Sequence, residues 1–275
     1  MISDSLWLHL VLAFAVGSLW VSLITVIAER AGSTTGGIIG GLPSTAVFSF
    51  IFIGFNQSSQ AAVQATTVFP LAVSFTCAFL LFYAFFAKKG FQVGLSISLL
   101  IWFTLCALIF ILNLKNFTLS LVGGLLVSAA TYYMFTQKLN LKNFTGEKIH
   151  NTTLQLLGRG VLAGSCVLVA VIASQIGGSV LGGIFSAFPA VFTSTLYITN
   201  NSRGTDFSRS ITKPLAVSNI FTIIPYSIAI RYLYPTLGIL IGTIISYAAI
   251  IPLDYLAYRI IHQNTVKRKQ ARARV

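Results

Sequence analysis

The sequence predicts an all-α, polytopic membrane protein of about nine transmembrane helices, arranged as a four-plus-one-plus-four inverted-topology repeat. Three observations lead there. Hydrophobic residues make up 56% of the 275 and charged residues only 8%, with a mean hydropathy of +0.86. Soluble domains carry about 25% charged residues, so this chain has too few to cover a water-facing surface. Apolar runs long enough to cross a bilayer recur along the whole length. A set of short motifs appears twice, in the same order.

A span needs about 20 apolar residues, because the hydrocarbon core is roughly 30 Å thick. The runs are 6–28, 34–55, 65–87, 91–112, 117–136, 155–174, 179–199, 210–231 and 235–261. They are continuous rather than alternating, which disfavours a β-barrel. Lipid then requires helices, since each backbone group must be satisfied within its own segment. The run 6–28 exceeds the apolar core of a signal peptide and follows no basic stretch, so it reads as a mature first span. Tyr234-Pro235 sets the boundary between the last two.

Net charge is +13, and the cations sit between the runs. With the basic tail Lys267, Arg268, Lys269, Arg272 and Arg274 in the cytoplasm, the N-terminus lies outside. Cytoplasmic segments then hold Arg30, Lys88, Lys89, Lys138, Lys142, Lys148, Arg203, Arg209 and Lys213, while outer segments hold Lys115 and Arg231. This is the asymmetry of a bacterial inner, cytoplasmic membrane. The tail itself is an orientation anchor. No soluble domain is left to shape a nucleic-acid site.

The repeat is visible by eye. Val26-Ile27-Ala28 returns as Val171-Ile172-Ala173, and Gly36-Gly37-Ile38 as Gly182-Gly183-Ile184. Pro43 matches Pro189 at the same offset. Pro70-Leu71-Ala72-Val73-Ser74 returns as Pro214-Leu215-Ala216-Val217-Ser218, and Gly94 then falls on Gly238. The chain divides into a first four-span repeat (1–112), a connector span and loop (113–150), a second repeat (151–263) and the basic tail (264–275). Five spans separate each residue from its counterpart, so the second half crosses in the opposite direction. Many secondary transporters are built so, with substrate near the midplane between the halves.

Spans 2 and 7 carry the chemistry. Pro43 lies about ten residues into its span, or ~15 Å deep, and Pro189 is at similar depth from the other side. Proline removes a backbone donor and clashes with the carbonyl four residues back. The helix that follows presents free N–H groups and a positive dipole end. The expected solute site therefore comprises Gly36, Gly37, Gly40, Gly41, Pro43, Ser44 and Thr45 with Gly182, Gly183, Ser186, Pro189, Thr193, Ser194 and Thr195. Such a site suits a small polar or anionic solute. Small residues also let helices pack closely in lipid, which is the alternative reading of each segment taken singly.

Charges inside spans are costly and usually functional. Glu29 and Arg30 end span 1, and Asp254 lies late in span 9. These three are the candidate coupling or gate groups, with protons as the coupling ion. Pairing of Asp254 with Arg259 or a loop lysine competes with that role. No metal-ligand spacing, cofactor motif or catalytic constellation is present, so the sequence points away from an enzyme.

The stretch Ala28-Glu29-Arg30-Ala31-Gly32 through Gly40-Gly41-Leu42-Pro43-Ser44-Thr45 resembles the GlpM-like family of small bacterial inner-membrane proteins. Those chains look like one four-span half of this one. Glu29, Arg30, Leu42 and Pro43 match the motif, whereas the second half keeps only Phe188-Pro189. A link of some members to exopolysaccharide production implies a second expectation, a non-transporting scaffold for envelope polysaccharide synthesis.

Overall fold

The computed structural model describes residues 4–30, 42–139, 141 and 152–272; side chains at 4–6, 29, 258 and 260–272 fall outside that description. The described residues form helices and no strand. They are α1 (Asp4–Arg30), α2 (Ser44–Asn56), α3 (Ser59–Ala65), α4 (Phe69–Phe86), α5 (Phe91–Ile111), α6 (Phe117–Gln137), α7 (Thr153–Ser186), α8 (Ala190–Arg203), α9 (Thr205–Ser210) and α10 (Thr212–Arg272). Where chain leaves lipid, polar caps start the next helix. The Asn116 side chain accepts from the Leu119 N–H at 3.0 Å. Thr152 and Gln155 form a reciprocal capping box ahead of α7.

Two helices are too long to be straight. The 61 residues of α10 would extend ~90 Å, three bilayer cores. The break is Gly238, at φ 76° and ψ 176°, a conformation essentially reserved for glycine. Beyond it the chain doubles back: Tyr234 Oη lies 2.7 Å from Thr243 Oγ1, and Ser218 Oγ donates to Asp254 Oδ1 at 3.2 Å. Gly178, at φ 77° and ψ 176°, does the same in α7, laying Gly182 against Ser174. We write α7a and α7b, α10a and α10b for the arms.

The turns correct one detail of the repeat. Gly90 has φ 123°, and Gly94 packs on the Ala87 backbone. Four residues past the second break, Gly242 packs on Leu233 and Tyr234 in the same way. Gly94 is therefore the counterpart of Gly242, not of Gly238. The cause is length: Pro70 to Gly90 is 20 residues, and Pro214 to Gly238 is 24.

Counterpart helices run antiparallel. Along α1, Phe14, Ser18 and Ser22 meet Gly164, Gly160 and Leu156 of α7a in descending order. Gly160 and Gly164 admit the α1 backbone so closely that a Cβ at Gly164 would collide with the Phe14 carbonyl. Along α4, Val73 meets Asn219, Cys77 meets Ala216 and Tyr83 meets Ser208. Helix α4 is the core of the molecule, buried along most of its length among α5, α6 and α10.

The outside is apolar. Leu19, Leu100, Ile111, Leu126 and Ile244 are each about two-thirds exposed or more. A soluble protein would hide such side chains; here hydrocarbon is the solvent. Six helical stretches of the described residues are long and apolar enough to cross a bilayer: Trp7–Ala28, Phe69–Lys89, Phe91–Ile111, Phe117–Gln137, Thr153–Arg203 and Thr205–Ala257. The last two contain the folds at Gly178 and Gly238. The protein is thus an all-helical, multi-pass membrane protein.

Candidate functional site

The two prolines build the same local structure. Pro43 has φ −74° and ψ 69°, close to an inverse γ-turn, and Pro189 has φ −76° and ψ 46°. The Ser44 N–H donates back to Leu42 O at 2.8 Å, and the Ala190 N–H to Phe188 O at 2.8 Å. Helical bonding resumes with Val47 N–H to Pro43 O and Thr193 N–H to Pro189 O. In between, the amides of Thr45 and Ala46, and of Val191 and Phe192, find no acceptor among the described residues. Among the described residues each proline thereby leaves main-chain donors open at the start of a helix.

All four of these residues line one cavity of about 40 Å³, room for roughly three water-sized atoms. Leu42, Pro43, Ser44, Thr45 and Ala46 form one wall; Ser186, Ala187, Phe188, Pro189, Val191 and Phe192 form the other. Phe69, Val73 and Thr76 of α4 and Asn219 and Ile223 of α10a close it between the halves. Thr76 Oγ1 donates to the Ala187 carbonyl at 3.0 Å and accepts from Trp102 Nε1 at 3.3 Å, fixing the break in the second half to the core. The Trp102 ring stands edge-on to Phe188, centroids 5.3 Å apart. Asn219 Nδ2 donates to Val73 O at 3.0 Å, and its Oδ1 is buried with no partner among the described residues.

Of the site residues expected from sequence, Pro43, Ser44, Thr45, Ser186 and Pro189 border this cavity. Others do not. Gly182 packs on Ser174 and Ile53, and Gly183 on the Ala65 carbonyl and Val68, so both serve close approach of helices. Thr193, Ser194 and Thr195 are not among the residues that line the cavity, whose wall α8 builds from Val191 and Phe192. The Ser194 and Thr195 hydroxyls both donate to Val191 O. A hydroxyl in an apolar helix satisfies itself on the preceding turn when nothing better is near. Gly36, Gly37, Gly40, Gly41 and the Glu29 side chain lie outside the described residues; Arg30 is exposed at the end of α1.

Asp254 is 2% exposed and stands apart from the cavity lining. The expected partner Arg259 is exposed on the same helix. Asp254 instead accepts from Ser218 across the α10 hairpin, because the fold at Gly238 brings α10a against this face. The missed cavity residues Thr76 and Asn219 had one signal. Asn219 is the only asparagine in the run 210–231, where an amide is expensive unless it is bonded.

Comparison with known proteins finds no curated protein and no solved structure that matches the chain. A family model does match, twice, over residues 10–115 and 156–262, so each half is recognised separately. Its description differs from that of the GlpM-like proteins which the Leu42-Pro43 motif resembles. The chain belongs to the family described as "Protein of unknown function (DUF3147)" and carries that family's pattern once in each half.

Proposed function

We propose that the protein is a secondary transporter of a small polar or anionic solute, with nine spans in a four-plus-one-plus-four inverted repeat. It resides in a bacterial inner membrane with the N-terminus outside. The carrying observation is that two proline-broken helices, from halves whose counterpart helices run antiparallel, begin at one shared cavity. Amides open among the described residues, at Ala46, Val191 and Phe192, and two helix N-termini offer donors and partial positive charge at the cavity. An anion or a carbonyl-bearing solute is held there by the main chain. Rocking of one half against the other about this site exchanges its access between the two faces. Asp254, Glu29 and Arg30 are the groups proposed for coupling or gating.

Cysteine accessibility tests this. In a background lacking Cys77, Cys106 and Cys166, Thr45→Cys and Phe192→Cys react with a water-soluble thiol reagent, while Thr193→Cys is protected. The reactive pair changes its labelling when a transported solute is supplied to reconstituted vesicles. If positions 45 and 192 were as inert as 193 under every condition, the cavity would be a packing defect and the transport reading would fall.

A further inference from the structure

The α10 hairpin hides a polar seam that lies outside the cavity lining apart from its neighbour Asn219. On α10a, Ser218, Thr222 and Tyr226 are spaced by four residues and lie near one face, and Tyr234 follows two turns on, close to the fold at Gly238. On α10b, Thr243, Tyr247 and Asp254 share another, at spacings of four and seven. Because the arms are antiparallel, the two faces meet as a ladder. Tyr234 Oη is 2.7 Å from Thr243 Oγ1; the Tyr226 and Tyr247 rings are 6.4 Å apart and edge-on; Ser218 donates to Asp254 at 3.2 Å. From Thr243 to Asp254 is eleven residues, ~16 Å, or half the hydrocarbon thickness.

The seam is incompletely bonded. Among the described residues the hydroxyls of Tyr226 and Tyr247 and Oδ2 of Asp254 are buried without a closed hydrogen bond, the Tyr226 hydroxyl lying beside Tyr234 and Thr243. The Trp20 indole of α1 lies beside Tyr247 without closing a hydrogen bond. Such atoms are costly in an apolar interior, and the fold does not require them. In the first half, the equivalent positions by the Gly90/Gly238 register are Leu95, Leu99 and Cys106, and Tyr226 falls on Phe82 by the Pro70/Pro214 register. Of these ladder positions only Ser218 keeps a hydroxyl in the first half, as Ser74; the tyrosines, Thr243 and Asp254 have none there. The acid and the tyrosines of the ladder belong to the second half.

We propose that this ladder is a proton path and that Asp254 is where the proton rests, which makes the proton the cation coupled to solute movement. The last clause rests on the transport reading; the protonation of Asp254 does not. Asp254 meets Ser218 from α10a and Tyr247 from its own arm, and no lysine, arginine or histidine among the described residues lies against it. A metal cation would need several more oxygen ligands than this. A proton needs one. Each hydroxyl accepts a proton on oxygen and releases its own to the next group. Asp254 Oδ2 takes the last, leaving a neutral acid, and becomes a carboxylate again when it passes the proton on.

Infrared spectroscopy of the full chain in lipid vesicles tests the assignment, with the proton and deuteron as probes. A carboxylic-acid carbonyl band is expected that fades as pH rises and is missing from Asp254→Asn. Its hydrogen–deuterium exchange should slow about tenfold in Tyr226→Phe/Tyr247→Phe, where the middle rung has lost both of its hydroxyls. Thermal unfolding checks that this double variant is folded, and wild type against Asp254→Asn decides the acid by itself. No band attributable to Asp254 at any pH, or unchanged exchange in the folded double variant, overturns the inference. Vesicles that show the band and its slowed exchange yet move no solute keep this inference and remove the transport reading; solute uptake without the band does the reverse.

Discussion

Thr76→Val probes the tie between the cavity and the core. Valine keeps the shape and removes the hydroxyl. In the wild type that hydroxyl donates to the Ala187 carbonyl at 3.0 Å and accepts from Trp102 Nε1 at 3.3 Å, at a residue only 2% exposed. Hydrogen bonds between membrane helices average about 0.6 kcal/mol and reach about 1.7. Two of them give a loss between about 1 and 3 kcal/mol, the upper end applying if both orphaned groups stay dry. Thr76→Ser is the control, since it keeps both bonds and loses one methyl, worth about 0.8 kcal/mol. The assay is reversible unfolding in mixed micelles, with Trp102 emission followed in a background where Trp7 and Trp20 are phenylalanine. Thr76→Val should lower stability more than Thr76→Ser and shift the emission, because only valine frees the indole N–H. A valine variant as stable as wild type, with unchanged emission, would refute the idea that this bond pair holds the broken helix in place.

Other consequences follow from single positions. Gly238→Ala should cost about 1–3 kcal/mol in thermal unfolding, purely through the backbone, since a Cβ there meets nothing within 4 Å. Gly94→Ala should cost a similar amount by a different route, because its Cβ would sit 2.7 Å from the Ala87 backbone nitrogen. Arg231→Lys should lose about 1–2 kcal/mol in the same assay: the guanidinium donates toward Val63 O, Thr66 Oγ1 and Thr67 Oγ1 and lies 4.3 Å over the Phe117 ring, a set a lysine cannot span.

The helices and the doubling were legible because lipid enforces them. A run of twenty apolar residues has one cheap conformation, and Pro43 and Pro189 announce their breaks chemically. Which face of each helix looks inward was not legible. Both sides of a membrane helix are apolar, so the pattern that marks a buried face in a soluble helix is nearly absent. That is why Thr193, Ser194 and Thr195 were expected at the cavity and Val191 and Phe192 were not. The partner of Asp254 depended on contact across 36 residues, which the spacing to Arg259 concealed. The seam on α10 is readable only once Gly238 is known to reverse the chain, since the two faces match as a ladder in antiparallel order alone.

The packing of α1 on α7a has a consequence for biogenesis. The helix that begins the first half finds its closest-fitting surface, the Gly160/Gly164 groove, in the second. On the ribosome, α1 is finished at Arg30 and α7 begins at Thr153, so at about 5–20 residues per second the first helix waits in lipid for roughly 6–25 s before its groove exists. A chain cut between the halves would leave each fragment with an unfilled slot for a helix of the opposite direction. Two copies of one half, inserted with opposite orientations, are what would fill both slots.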